Sequence, residues 1–191
     1  MIILTGPSAS GKTATCLYLQ EHYGIKKVIT HTTRDIRVGE HNDVDYHFVT
    51  KEEFLKLKEK DYFIETVIYN GNYYGTSKPE VSIDKCMAVE LNGAKSYRGL
   101  NNDHIVIFYM KANEALRLAR MNERGDDPEK IKSRIANDKS AFSDENDLNG
   151  LIDCTVDTEK YNIEQAAEFI YKKYIEILNS RGIKYPIVEK K

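Results

Sequence analysis

The 191-residue chain has no tryptophan, only four prolines and only three cysteines. Cys16, Cys86 and Cys154 are odd in number, far apart and in no Cys-x-x-Cys pattern. That excludes a disulfide framework and predicts reduced, mostly buried thiols in a cytoplasmic protein. A charge excess is also missing: 28 basic side chains stand against 30 acidic ones, for a net charge of -2. A strongly basic nucleic-acid-binding protein of the histone kind is thereby excluded. No segment approaches the roughly 18 consecutive apolar residues of a membrane span. Met1–Thr5 runs straight into Gly6 without a basic leader, so no secretion signal is expected. No repeat or low-complexity stretch interrupts the chain, and His31, His41, His47 and His104 show no metal-ligand spacing.

What is present is ample apolar content, 41% of residues, in a chain of single-domain size that can bury a core without staples. Apolar strands alternate with helical patterns. Ile2-Ile3-Leu4, Val28-Ile29-Thr30, Cys86–Leu91, His104–Met110 and Leu151–Val156 read as strands. Helices are expected over Lys12–His22 (with Ala14, Leu17 and Tyr18 on one face), Asn113–Asn122, Pro128 to about Phe142, and Ile163–Leu178. This order predicts an α/β fold with a parallel sheet flanked by helices. The stretch 30–78 reads differently. A polar loop over Thr33–Asn42 precedes a capping box, Thr50 to Glu53, opening a helix through Phe54, Leu55 and Leu57. Tyr62–Tyr69, the turn Asn70-Gly71 and Tyr73-Tyr74 then form a hairpin pattern. Residues 30–78 are therefore expected to be a small mixed insert in a core made of 1–29 and 79–191.

Gly6-Pro7-Ser8-Ala9-Ser10-Gly11-Lys12-Thr13 matches Gly-x-x-x-x-Gly-Lys-Ser/Thr without a mismatch, between a predicted strand and a predicted helix. Glycines let the backbone curl so that successive N–H groups point at phosphate oxygens. The helix that follows, through Ala14, adds its positive end. Lys12 supplies a mobile charge to the β- and γ-phosphates and Thr13 a hydroxyl to magnesium. The segment reads as a phosphate loop (P-loop) for ATP with Mg2+.

The sequence then resembles the guanylate kinase family. The resemblance rests on Thr32-Thr33-Arg34 with Arg37-Val38-Gly39-Glu40, Val44-Asp45-Tyr46-His47-Phe48-Val49, Phe63-Ile64-Glu65, and Gly71-Asn72-Tyr73-Tyr74-Gly75-Thr76-Ser77. These blocks stand in family order at near-family spacing behind the phosphate loop. The match is good to about residue 78, looser through Glu90 and Arg120 to Arg134, and poor after about 145. It implies a P-loop NTPase-type core with a GMP-binding insert and a helical lid at about 121–133. It also implies transfer of the ATP γ-phosphoryl group to GMP or dGMP. Thr30, Arg34, Arg37, Tyr46, Glu65, Tyr74, Thr76 and Glu90 would bind GMP, with Arg34, Arg120, Arg124 and Arg134 joining Lys12 in catalysis.

Residue chemistry agrees with those roles. Two arginines three apart can clamp a phosphate dianion with planar forks. One carboxylate can accept both the N1–H and the N2 amine of guanine, a donor pair that adenine lacks. Phosphoryl transfer needs alignment, magnesium and positive charge over the moving group, which lid arginines would supply.

Departures leave other readings open. Where the family has Asp-x-Asp, this chain has Ala88-Val89-Glu90; where the family has Val-x-Asn-Asp, it has Thr155-Val156-Asp157-Thr158. The segment 77–85 is also short. A paralogue acting on another phosphorylated small molecule, or a catalytically weak binding module, fits these features too. The expected partners are small nucleotides, with no nucleic acid or membrane; oligomeric state is left open.

Overall fold

A computed structural model describes residues 1–142 and 148–185. Five parallel strands form the main sheet in the order β2 (Lys26–Lys27), β7 (Lys85–Ala88), β1 (Ile2–Thr5), β8 (Val106–Lys111), β9 (Cys154–Asp157). Their side chains alternate between two cores. Ile2, Leu4, Cys86, Val106, Phe108, Met110 and Val156 pack on one face against α1 (Lys12–His22) and α6 (Ile163–Ser180). Met1, Ile3, Val89, Ile105 and Ile107 pack on the other against α3 (Leu91–Gly99). Burial on both faces is why β1 is a continuous apolar run.

Between β2 and β7 the chain builds a second sheet, in the order β4 (His47–Phe48), β3 (His31–Thr32), β6 (Asn72–Ser77), β5 (Phe63–Tyr69). Helix α2 (Lys51–Glu59) opens on the expected capping box, and Phe54 stacks on Phe63 beneath the hairpin. Asn70 and Gly71 both take positive φ, as a tight primed turn requires. Near the C-terminal half, α4 (Glu114–Glu123) and α5 (Pro128–Ala141) form a helical pair, capped by Asn113 and Asp127.

Three sequence expectations are corrected. Val28-Ile29-Thr30 is not a strand; it links β2 to β3, and the pairing falls on the polar residues flanking it. The strand expected over Cys86–Leu91 ends at Ala88, and Leu91 instead starts α3, a helix the pattern did not suggest. In α1 the buried side chains are Thr15, Cys16 and Leu19, while Ala14 and Leu17 face outward. The small side chain of Cys16 lets the helix lie close on β7, where the Cys16 and Cys86 sulfurs approach to 2.7 Å. Part of the tail whose structure the sequence leaves ambiguous, 186–191, lies outside the described residues.

Candidate active site

The strands β1 and β7 are adjacent and parallel, so their carboxyl ends open side by side. Crevices at such strand ends are where open α/β sheets bind ligands. The turn leaving β1 is the phosphate loop. Gly6 at its start has φ 143°, and a Cβ there would lie 2.5 Å from the Met110 carbonyl oxygen of β8. Only glycine lets the loop leave the sheet so close to its neighbour. Lys12 folds back across the loop and donates from Nζ to the carbonyls of Gly6 (2.6 Å) and Pro7 (2.8 Å). Burial lowers its pKa to about 8, against the opposing pull of Asp138 and Glu90. Its ammonium is thus poorly solvated and primed for an anion.

Two cavities meet at these strand ends. One, of about 670 Å³, is walled by Gly6, Ser8, Ala9, Lys12 and Thr13 and also reaches Arg124 and Arg134. The other, of about 560 Å³, is lined by Thr30, Glu65, Tyr74, Thr76 and Gly93. Ala88, Val89, Glu90 and Asn92 line both. The β7–α3 turn is therefore a shared wall.

Glu65 owes its position to an irregularity. The β5–β6 register shifts between Phe63 and Glu65, and the bulge sets Glu65 opposite Thr76. Its carboxylate lies against Gly93 of α3, where a Cβ would come within 2.9 Å of Oε2. Burial first, then the charge of Glu90, raises the Glu65 pKa. Two carboxylates facing one cavity with few donors favour a ligand that brings N–H groups.

Beside this cavity, Arg34 forms a bidentate pair with Glu40 (2.7 and 2.9 Å) and lies over the rings of Tyr46 and Phe48. Tyr46 meets Tyr74 edge-on at 6.2 Å. Arg34, Tyr46 and Tyr74 are thus gathered at the cavity edge. Arg37 is not with them: it sits in the exposed stretch 35–39 between β3 and β4, joined to Glu40 through its backbone N–H.

The second arginine set divides. Arg124 and Arg134 both pair with Asp126 and line the larger cavity. Arg120 instead grips the outside of the phosphate loop, donating to the Ala9 carbonyl (3.1 Å) and to Thr158. Ser10 is buried and Ala14 exposed, so these two contribute backbone rather than side chain. Sequence reasoning overlooked Arg117 and Asp138. Asp138 of α5 accepts from the Ser8 backbone N–H (2.9 Å) and from Arg117 of α4 (2.6 Å). No local motif announces that pair, since Ser8 and Asp138 are 130 residues apart.

A magnesium ion fits the larger cavity by donor chemistry. Thr13 and Glu90 offer hard oxygens on its walls. Among the described residues no cluster of three or more His, Cys, Asp or Glu could cage a metal alone. A cation shared with substrate phosphates matches that sparse supply. Also among the described residues, no helix is long and apolar enough to cross a membrane.

A family model described as guanylate kinase matches residues 1–170. The guanylate kinase of Pseudoalteromonas translucida is 35% identical over 160 residues, covering 80% of this chain and 78% of that protein. That of Vibrio parahaemolyticus is 36% identical over 153 residues, covering 75% and 74%. Among solved structures, the guanylate kinase from Anaplasma phagocytophilum aligns with a TM-score of 0.53 over 95% of this chain and 94% of that one. Its 23% identity makes this a likeness of fold.

Proposed function

The chain belongs to the guanylate kinase family, and on that premise we propose that it transfers the γ-phosphoryl group of ATP to GMP, or dGMP, giving ADP and GDP. The observation that carries this reading is the shared wall at Ala88–Glu90 and Asn92, with a phosphate loop on one side and a carboxylate-bearing cavity on the other. Donor and acceptor would meet end to end there. The family match argues against the paralogue and binding-module alternatives, and the intact loop argues further against the latter.

ATP would take the larger cavity, its phosphates on the loop amides from Ala9 to Ala14, since the Ser8 N–H is held by Asp138, with Lys12 between the β- and γ-phosphates. Magnesium, held by Thr13 and the phosphates, would neutralise charge on the moving group. GMP would take the smaller cavity. Glu65 accepts from guanine N1–H and the N2 amine, while Thr30, Thr76 and Glu90 edge the base. Tyr74, Tyr46, Arg34 and Arg37 receive its phosphate, Arg37 after its loop moves inward. A GMP phosphate oxygen then forms a bond to the γ-phosphorus as the bond to the ADP oxygen breaks. Positioning and charge stabilisation suffice, without a side-chain nucleophile. Residues 30–78 serve as the acceptor insert and about 121–133 as a lid that brings Arg124 and Arg134 over the phosphates and excludes water. Arg120 acts from outside the loop by holding its backbone. We place the reaction in the cytoplasm.

The test is ADP release with ATP and magnesium across GMP, dGMP, AMP, CMP, UMP and IMP. A strong response confined to the guanine nucleotides is expected. Silence with all six would overturn the assignment, and a preference for another base would refute the role of Glu65.

A further inference from the structure

Asp138 is an electrostatic oddity. A cavity that takes phosphates is expected to hold cations, yet this carboxylate lines it beside Lys12. Its side chain is only 12% exposed and that of Arg117 only 7%. Burying such a pair brings little net stability over an apolar pair of the same volume. What the pair does achieve is a junction. Asp138 Oδ2 accepts from the Ser8 backbone N–H at 2.9 Å and from Arg117 Nη1 at 2.6 Å. Oδ1 accepts from Ser8 Oγ at 3.3 Å. The phosphate loop, α4 and α5 thus meet at one carboxylate.

Helix geometry gives that junction a consequence. Residues four apart lie on one face, about 6 Å from each other. Arg134 is one turn before Asp138, and it lines the same cavity as Lys12. Ile131 and Ile135 dock this face of α5 on Met121 and Leu118 of α4 and on Ala9 of the loop. Apolar docking alone tolerates sliding and rotation, because it is non-directional. A carboxylate that takes a backbone N–H and a guanidinium on one oxygen and a hydroxyl on the other does not.

We propose that Asp138 is a positioning residue for the phosphoryl transfer: docked on the Ser8 amide and held by Arg117, it fixes α5 so that Arg134, one turn earlier, faces the phosphates. Although Asp138 lines the ATP cavity, its part in the transfer is exerted through Arg134. The inference rests on the reading of Arg134 as a lid arginine.

A double-mutant cycle on kcat tests it, with melting temperatures as a folding control. Asp138→Asn alone should lower kcat roughly 10- to 100-fold, the scale of a misplaced catalytic group, with the KM for GMP nearly unchanged. Arg134→Ala should lower kcat at least as much. In the Arg134→Ala background, Asp138→Asn should then have almost no further effect, a non-additivity that a merely stabilising residue would not produce. Full additivity would overturn the proposal. So would a fall in the KM for ATP with kcat preserved, which would mean that Asp138 only competes with the incoming phosphates. An unchanged kcat in Arg134→Ala would instead refute the lid reading itself. If Asp138→Asn does not fold, Arg117→Lys, which keeps the charges and shortens the reach, replaces it in the same cycle with the same expected outcomes.

Discussion

The cavity proposed for the donor takes its phosphate-loop wall from consecutive residues between β1 and α1, whereas the cavity proposed for the acceptor is assembled from Thr30, β5, β6, the β7–α3 turn and the start of α3. On the donor side the groups that would bind phosphate are mostly main-chain amides, and their geometry is set by the sheet exit at Gly6. On the acceptor side they are side chains, several already paired with one another: Arg34 with Glu40, Tyr46 with Tyr74. A backbone cradle tolerates most side-chain changes but depends on its one mobile charge. A side-chain cavity can be retuned residue by residue. Substitutions on the two sides should therefore fail in different ways.

The largest effect is expected at Lys12. Lys12→Ala removes the only donor-side contact made by a charged side chain of the loop, and kcat should fall by roughly 100- to 1,000-fold or more. Calorimetric GMP affinity should stay within about twofold, because Lys12 does not line the acceptor cavity. A Lys12→Ala protein with unchanged kcat would break the distinction between the sides, and one with lost GMP affinity would blur it.

Glu65 comes next. Glu65→Gln keeps one acceptor oxygen but turns an N–H group toward a guanine donor. The kcat/KM for GMP should drop by about 1–3 kcal/mol, or roughly 5- to 150-fold. The KM for ATP should hold. Discrimination against AMP should shrink, a readout that separates base recognition from simple loss of structure. Competition between GMP and AMP in one assay measures it directly.

The two sides also differ in how much of them the sequence reveals. The phosphate loop is contiguous, so eight residues suffice to read it. Glu65 is legible from its block, but the bulge that aims it and the Gly93 Cα it rests on are not, because both depend on pairing and packing between distant segments. Helix α3 is hidden for a related reason. It starts immediately after the β7–α3 turn and carries Gly93 and Gly99, which weaken the helical signal. Gly93 is there for the carboxylate, not for the helix. In α1 the apolar pattern misleads about the inward face, since Thr15 and Cys16 are buried there beside Leu19 while Ala14 and Leu17 are exposed. Strands β1 and β8 are readable because burial on both faces leaves a plain run of apolar residues, whereas β7 is buried only at Cys86 and its end is lost in the apolar residues that lead into α3. Arg34 and Arg37 look equivalent in sequence, yet Glu40 anchors the guanidinium of one and only the backbone of the other.

The smallest expected effect is in the pH profile, and it divides along the same line. Glu65 is raised above the usual carboxylate range, by burial and then by Glu90, so it takes up its proton at higher pH than an exposed glutamate would. Guanine needs the ionised form as acceptor. As pH falls through that raised pKa, kcat/KM for GMP should fall, while kcat/KM for ATP holds. Lys12 is lowered to about 8 by burial, against the opposing influence of Asp138 and Glu90 and with that of Arg117. ATP needs its charged form. As pH rises through about 8, kcat/KM for ATP should fall, by roughly tenfold per unit at most, with kcat/KM for GMP at saturating ATP much less affected. The acid limb therefore belongs to the acceptor side and the alkaline limb to the donor side. In Glu65→Gln the acid limb should vanish and the alkaline limb persist. If both limbs appeared equally with either substrate varied, the two cavities would be titrating as one site, and the separation drawn at the Ala88–Glu90 wall would be wrong.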